Sequence, residues 1–217
     1  MMCLLASCDQ VRPEDRVCKL PAVATNVSGS PVFASGYFPP EYGRESISCF
    51  YMSQKVALIS EVESDWFPSQ WKAACEPSFF ALANSASRNE FKFRFSYLPS
   101  FDHPIFITVQ SETRGLVLIA KQLTGVGGYD PGMIGRSKEL VLTGTQSAQF
   151  RDLLDKGGVF TEAPGKCDFG LDRTYWIFEQ VHDGRYQLVK RRSPNGGAPR
   201  ELGDWLLQVS GLPVRHN

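Results

Sequence analysis

At the centre of this 217-residue chain stands Phe91-Lys92-Phe93-Arg94-Phe95-Ser96-Tyr97, in which aromatic and polar side chains alternate. Successive side chains of a β-strand point to opposite faces, so this period of two predicts a strand. Four aromatic rings then share one face, while Lys92, Arg94 and Ser96 share the other. We therefore expect a strand whose aromatic face is buried and whose polar face lies in water.

The segments that follow this strand extend it into a sheet. Residues 104–110 and 115–123 are apolar, β-branched runs that predict an antiparallel hairpin near the sheet centre. A second hairpin is expected from residues 174–181 and 185–191, because Asp183-Gly184 supplies the positive φ angles of a type I′ turn. Shorter strands are expected as a hairpin within residues 46–61 and at residues 140–142.

Four short helices are predicted, at residues 66–74, 77–86, 145–156 and from Pro199 to a stop at Gly211. The first two each begin at or near a proline, which suits the first helical turn. Strands and helices are intermixed without regular βαβ alternation. The predicted fold class is therefore α+β, a mainly antiparallel twisted sheet with a few short helices, two of them in the C-terminal third.

The charge balance of the chain excludes one large class of function. Lys plus Arg and Asp plus Glu each number 23, so the formal net charge is zero. A nucleic-acid binder needs a basic stripe to displace counterions, and the zero net charge argues against this class. The motifs of serine hydrolases, zinc proteases and P-loop NTPases are also missing, and we expect neither a metal nor a cofactor.

The N-terminus contains Leu5-Ala6-Ser7-Cys8 between an apolar start and a polar stretch. A leucine three residues before a cysteine, with two small residues between, resembles the lipobox of bacterial lipoproteins. The resemblance implies that residues 1–7 are the remnant of a signal peptide, that Cys8 carries lipid, and that residues 8–16 form a tether. Residues 17–217 are then a single globular domain in the periplasm, with a possible sub-boundary near 124–136. The alternative is a cytosolic chain whose first residues are apolar by chance.

Four cysteines follow the lipobox-like sequence: Cys18, Cys49, Cys75 and Cys167. In an exported chain an even number permits two disulfides, which the periplasm keeps oxidised. Spacing leaves three connectivities open, of which we favour Cys18 with Cys49 and Cys75 with Cys167. In a cytosolic chain the alternative is four scattered buried thiols.

A group of residues near the C-terminus, Trp176, Glu179, Gly184-Arg185-Tyr186 and Arg192-Ser193-Pro194, resembles the C-terminal part of some uncharacterised bacterial proteins. The resemblance brings no assigned activity. Trp176 and Tyr186 are expected to pack the sheet against the last helix, and Glu179 to pair diagonally across strands with Lys190.

A neutral, lipid-anchored domain without a catalytic motif is expected to bind a protein rather than to catalyse. The lipoprotein resemblance implies a periplasmic protein of the immunity or inhibitor type that neutralises a partner, such as an antibacterial toxin or a cell-wall hydrolase. The first candidate partner-binding residues are Tyr129 and Asp130 in the glycine-rich loop 125–132, and the second are Phe38 and Tyr42. Attachment to the membrane is expected through the N-terminal lipid alone.

Two other classes remain open, an envelope enzyme with a site near His103 and a structural envelope lipoprotein. An enzyme predicts a concave pocket with convergent polar groups and a perturbed pKa, near His103 or the acidic pairs Glu61/Glu63 and Asp168/Asp172. A binding module predicts a protruding loop or an exposed apolar patch. The glycine-rich loop can also cradle a phosphate, but Asp130 stands where the last glycine of G-x-G-x-x-G belongs.

Overall fold

The computed structural model describes residues 36–49, 54–85, 91–167 and 174–214. Cys8, Cys18 and the expected tether 8–16 lie outside the described residues. The elements are, in chain order, β1 (Glu45–Cys49), β2 (Gln54–Ala57), α1 (Glu61–Ala73), α2 (Phe79–Ser85), β3 (Lys92–Leu98), β4 (Ile105–Glu112), β5 (Gly115–Leu123), β6 (Ile134–Val141), α3 (Gly144–Arg151), β7 (Tyr175–His182), β8 (Arg185–Arg192) and α4 (Ala198–Ser210). None of the helices in this part of the chain is long and apolar enough to cross a membrane.

Six of the strands form one antiparallel sheet in the order β6-β5-β4-β3-β7-β8, and β1 and β2 form a separate hairpin. The central position of β3 follows from its pairing on both sides, with Phe95 opposite Ile107 of β4 and Phe178 of β7. The α+β class is confirmed, with α3 and α4 in the C-terminal third. The possible sub-boundary near 124–136 falls between β5 and β6, which pair with each other.

All three predicted hairpins are present, because β1 pairs with β2, β4 with β5 and β7 with β8, each time antiparallel. The turn between β7 and β8 has φ angles of 52° at Asp183 and 72° at Gly184, as a type I′ turn requires. Strand β6 is longer than the residues 140–142 predicted for it, because β5 offers a pairing partner from Val117 to Gln122 and, after a shift in register, at Leu123.

One face of the sheet packs against α3 and α4. Phe93 and Phe95 of β3 lie in this core together with Phe150 of α3 and Leu206 of α4. Helix α4 approaches closely at Gly203, where a Cβ atom would lie 2.1 Å from the ring of Trp176. The expected end of α4 at Gly211 is confirmed by a left-handed backbone there, with φ of 62°.

The opposite face of β3 is buried as well, so the expectation of a polar face in water is wrong. Arg94 and Ser96 are both 0% exposed. Helix α1 covers them with Trp71, whose indole Nε1 donates to Ser96 Oγ at 2.9 Å, and Phe38 packs against the same indole at 5.4 Å between ring centroids. The sheet is therefore the middle of three layers.

Helix α1 begins at Glu61 rather than at the predicted Trp66. Ser60 Oγ accepts from the Glu63 backbone N–H, and the Glu63 carboxylate accepts from the Ser60 N–H, which is a capping box. Pro68 lies inside the helix rather than in its first turn. The prediction failed because it gave the proline more weight than the Ser60-x-x-Glu63 signal.

Arg94 is the centre of a buried charge cluster. Its Nε and Nη2 lie 2.8 and 2.6 Å from Oε2 of Glu179, on the adjacent strand β7. Its guanidinium carbon lies 4.5 Å from the ring centroid of Trp71 and 4.3 Å from that of Phe79, so two aromatic rings stack on the cation. The Tyr186 hydroxyl donates to Glu179 at 2.8 Å. Burial raises the pKa of Glu179, and Arg94 opposes this shift.

A second ion pair completes this cluster. Glu76 accepts from Lys121 Nζ at 2.6 Å and from the Thr108 hydroxyl at 3.1 Å, and lies 3.7 Å from Arg94 Nη1. Two cations therefore neutralise two carboxylates inside the fold, as buried charges require. The predicted pairing of Glu179 with Lys190 is wrong, because Glu179 binds Arg94.

Cys49 and Cys167 form a disulfide, with their Cα atoms 5.2 Å apart. Cys75 is disulfide-bonded too. The predicted pairs Cys18–Cys49 and Cys75–Cys167 are therefore both wrong. The bond links residues 118 positions apart in sequence, which corresponds to about 4 to 5 kcal/mol in the chain-entropy model.

Replacing Arg94 with methionine tests how far the fold depends on the buried cluster. Arg94→Met leaves the carboxylate of Glu179 buried without its cation, and we expect a loss of about 3 to 5 kcal/mol in the free energy of unfolding. Urea denaturation followed by circular dichroism measures it.

Arg114→Met is the matched control, because Arg114 also pairs with two carboxylates, Glu112 and Glu139, but is half exposed. Water screens its ion pairs, so this variant is expected to unfold close to the wild-type urea midpoint. Equal losses in the two variants would contradict a central role for Arg94.

Candidate functional site

Two loops lie side by side at one end of the sheet. Residues 99–104 connect β3 to β4, and residues 124–133 connect β5 to β6. Because these four strands are antiparallel neighbours, both connections emerge at the same end. We call the two loops together the loop platform.

Backbone hydrogen bonds join the two loops of the platform. The amide of Gly127 donates to the Asp102 carbonyl at 3.1 Å, and that of Gly128 donates to the Ser100 carbonyl at 3.1 Å. His103 Nδ1 lies 2.7 Å from the Gly125 carbonyl oxygen and donates to it. Trp66 of α1 adds a bond from its indole N–H to the Gly127 carbonyl at 3.0 Å. The platform is thus fixed to both the sheet and α1.

The glycines of the platform allow this close approach. A Cβ atom at Gly127 would lie 2.4 Å from the Pro99 carbonyl oxygen, and one at Gly125 would lie 2.0 Å from the Asp130 carbonyl oxygen. Backbone amides of the glycine-rich loop also bond within the loop. The Gly125 N–H donates to the Pro131 carbonyl and the Val126 N–H donates to the Asp130 carbonyl, both at 2.9 Å. Donors occupied in this way are not free to cradle a phosphate, the ligand considered above for this loop.

The platform exposes three large apolar side chains to solvent. Tyr129 is 71% exposed, Met133 is 61% exposed and Phe101 is 57% exposed. The rings of Phe101 and Tyr129 lie 6.4 Å apart between centroids, so the two loops contribute to one surface. The Asp130 carboxylate accepts from the Gly132 amide at 2.9 Å, which fixes the turn that carries Tyr129.

A second feature is a cavity beside the Cys49–Cys167 disulfide, which we call the disulfide cavity. It has a volume of about 170 Å³, and its polar wall includes Glu63, Tyr175 and Lys190. Lys190 Nζ lies 2.8 and 2.7 Å from the two oxygens of Glu63. Burial lowers the pKa of Lys190, and the Glu63 carboxylate opposes this shift. Burial also raises the pKa of Tyr175 to about 12.

The disulfide cavity has features expected of the enzyme alternative, since it is concave and contains groups with shifted pKa values. It is lined by Glu63, one member of an acidic pair named above, but not by His103. The His103 imidazole instead bonds the glycine-rich loop, as described for the platform. Asp168 and Asp172 lie outside the described residues.

The candidate partner-binding residues separate into two groups in the structure. Tyr129 and Asp130 are exposed on the platform. Phe38 is fully buried, and Tyr42 packs against Tyr186 at 6.2 Å between ring centroids, so Phe38 is removed from the candidate surface and Tyr42 lies largely against the core.

Phe101, Met133 and the Glu63–Lys190 pair were not predicted from the sequence. A lone aromatic residue between two predicted strands was a usable signal for Phe101, and the capping-box spacing was one for Glu63. No local pattern joins Glu63 to Lys190, which lies 127 positions later.

The fold and these two sites define an α+β protein with a central antiparallel sheet, helices on both faces, and a fixed pair of loops at one sheet end. Comparison with protein-family models finds no match to the chain, and comparison with curated proteins finds none either.

Two glycine-to-alanine variants test whether the close packing between the two loops of the platform stabilises the fold. Gly127→Ala places a methyl group against the Pro99 carbonyl, and we expect a loss of about 1 to 3 kcal/mol in the free energy of unfolding. Gly144→Ala is the control, because a Cβ there meets nothing within 4 Å and alanine favours the first turn of α3. Thermal unfolding should show a lower midpoint for Gly127→Ala alone.

Proposed function

We propose that this protein is an exported, lipid-anchored binding protein of the immunity or inhibitor type, which neutralises a protein partner through the loop platform. An antibacterial toxin and a cell-wall hydrolase are partners of this kind. The observation that carries the proposal is the exposure of Tyr129, Phe101 and Met133 on loops that hydrogen bonds hold in place.

Rigid exposed aromatic residues are suited to protein recognition. Aromatic side chains provide a large share of binding energy at the centres of interfaces, and methionine is enriched there as well. The bonds from Gly127 and Gly128 to the neighbouring loop are made before any partner arrives. Ordering of the loops therefore costs little on binding, which favours affinity.

The charge of the platform indicates what kind of partner surface it fits. Residues 99–104 and 124–133 contain two aspartates, Asp102 and Asp130, and no Lys or Arg. Complementary potentials steer association and exclude wrong partners. The proposed partner accordingly presents an apolar pocket with basic residues at its rim.

The disulfides support the proposed compartment. The Cys49–Cys167 bond and the disulfide at Cys75 persist in oxidising environments such as the periplasm and are rare in the cytosol. Lipid attachment at Cys8 would then hold a folded, disulfide-bonded domain at the membrane surface.

The binding proposal is tested with a partner isolated from the periplasm. The immobilised protein is used to capture candidates, and each purified candidate is then titrated against wild type, Tyr129→Ala and Val141→Ala by calorimetry. We expect Tyr129→Ala to weaken binding at least tenfold, because it removes the most exposed aromatic anchor.

Val141 is the control residue, since it is also exposed but pairs with Val117 toward the other end of the sheet. Val141→Ala should leave affinity unchanged. A partner that binds all three proteins equally would show that the platform is not the interface.

The anchor is tested by replacing the candidate lipid site in the full chain expressed in a bacterium. Cys8→Ser should release the protein from the membrane fraction and abolish the acyl mass on its N-terminal peptide. Cys3 lies before the lipobox-like sequence, so Cys3→Ser should change neither the membrane association nor the acyl mass. Fractionation and mass spectrometry give the two readouts. Retention of Cys8→Ser in the membrane would contradict anchoring at this residue.

A further inference from the structure

We propose that the outer edge of strand β6 binds an extended acidic segment of another protein, which adds to the sheet as an antiparallel strand. Residues 136–141, which form this edge, lie outside the loop platform, so the inference does not depend on the proposed partner binding. It rests on the backbone groups of the edge, on the charges beside them, and on the symmetry that two identical strands would need.

Strand β6 is a long edge of the sheet. It spans Ile134–Val141 and stands last in the strand order, so β5 is its only neighbouring strand in the part of the chain that the structure describes. Most of its residues are exposed, and it contains no proline. Among the described residues no backbone group bonds to its outer side. An edge of this kind is a template on which an extended peptide can add a strand.

The backbone groups that point outward belong to alternate residues of β6. The Leu142 N–H donates to the Leu116 carbonyl of β5 at 2.9 Å, and the register between the two strands is regular from there back to residue 136. Hydrogen-bonded and non-bonded pairs alternate along an antiparallel ladder, so the even-numbered residues of β6 bond β5. The outward N–H and C=O groups are therefore those of Ser137, Glu139 and Val141.

The side chains beside this edge favour an acidic strand. Arg136 and Lys138 are exposed and lie on the same face, because residues two apart in a strand share a face. The Lys138 ammonium donates to the Ser210 carbonyl at 3.1 Å, which holds it near the end of α4 and leaves its remaining donors for an added strand. On the other face Glu139 is already paired with Arg114. Acidic residues opposite Arg136 and Lys138 would form two cross-strand ion pairs.

A second copy of β6 is a poor occupant of this edge. Two identical antiparallel strands are related by a two-fold axis perpendicular to the sheet, so odd-numbered residues lie opposite odd-numbered ones and even opposite even. With Ser137 on the axis, Arg136 lies opposite Lys138 of the second copy. With Lys138 or Glu139 on the axis, that residue lies opposite itself. Each of these central registers places like charges together, which is destabilising. The charges that disfavour pairing of two copies thus favour an acidic strand.

Two hexapeptides of opposite charge test the proposal: acetyl-Val-Val-Thr-Glu-Thr-Glu-amide and acetyl-Val-Val-Thr-Lys-Thr-Lys-amide. When either peptide pairs antiparallel with residues 136–141, its charged side chains lie opposite Arg136 and Lys138. Each is titrated into isotope-labelled protein and followed by amide NMR spectra. We expect the glutamate peptide to bind at least about fivefold more tightly, because two cross-strand pairs change from like to opposite charge.

The spectra also show whether the peptide pairs through its backbone. The amides of Ser137 and Glu139 gain acceptors from an added strand, so their signals should shift most. The amides of Lys138 and Leu140 already bond β5 and should shift less. Simple attraction between charges would not produce this alternation along the strand.

Variants of Ser137 separate backbone pairing from charge attraction. Ser137→Pro removes an outward donor without removing a bond to β5, and edge strands tolerate proline at such positions. We expect it to weaken binding of the glutamate peptide at least about fivefold, because one backbone hydrogen bond is lost and the ring obstructs the edge. Ser137→Ala keeps the donor and should bind as the wild type does. Urea denaturation checks that both variants are folded.

A charge reversal on β6 tests the acidic preference and decides the proposal if Ser137→Pro does not fold. Arg136→Glu combined with Lys138→Glu should make the lysine peptide the tighter ligand. Lys55→Glu combined with Lys156→Glu makes the same change of net charge at two exposed lysines away from β6 and should keep the wild-type preference. Binding of neither peptide, equal affinity for both, signal shifts confined to other strands, or an unchanged preference after the reversal on β6 would overturn the proposal.

Discussion

The buried guanidinium of Arg94 is the constraint on which the three-layer arrangement depends. A cation at the centre of a sheet is tolerated when a carboxylate neutralises it and hydrogen bonds satisfy part of its N–H groups. Glu179 neutralises it from the adjacent strand, and the Pro77 carbonyl accepts from its Nη1 at 2.8 Å. Trp71 and Phe79 stack on it from two different helices. The same residue thus fixes the register of β3 against β7 and positions α1 and α2 on the sheet.

Local patterns were sufficient to predict the strands and the α+β class. They did not predict the helical layer, α1 and α2, that covers the polar face of β3. The alternation around Phe93 and the Asp183-Gly184 turn are short-range signals, and the elements they predict are present. Whether Arg94 faces water or helix depends on Glu179, which lies 85 positions later, and the alternating pattern is the same in both cases. Isolated charges are rarely buried, so an arginine on a strand predicts a solvent-facing side chain. Here its partner is buried with it.

The candidate sites show the same division between local and long-range information. The glycine-rich loop was visible in the sequence, and Tyr129 is exposed there. Its fixed geometry was not visible, because it depends on the bond from Gly127 to Asp102 on another loop. The Glu63–Lys190 pair and the Cys49–Cys167 disulfide likewise join residues that only the tertiary fold brings together. An even number of cysteines carries no information on which pairs meet.

Helix α1 connects the two candidate sites to the buried cluster. Glu63 in its first turn forms part of the disulfide cavity, Trp66 one turn later bonds the platform, and Trp71 stacks on Arg94. The Trp66 ring also lies 5.4 Å from that of Tyr175, which lines the cavity. Helix α1 therefore contributes side chains to both the loop platform and the disulfide cavity, and its contact with Arg94 through Trp71 holds it to the sheet between them.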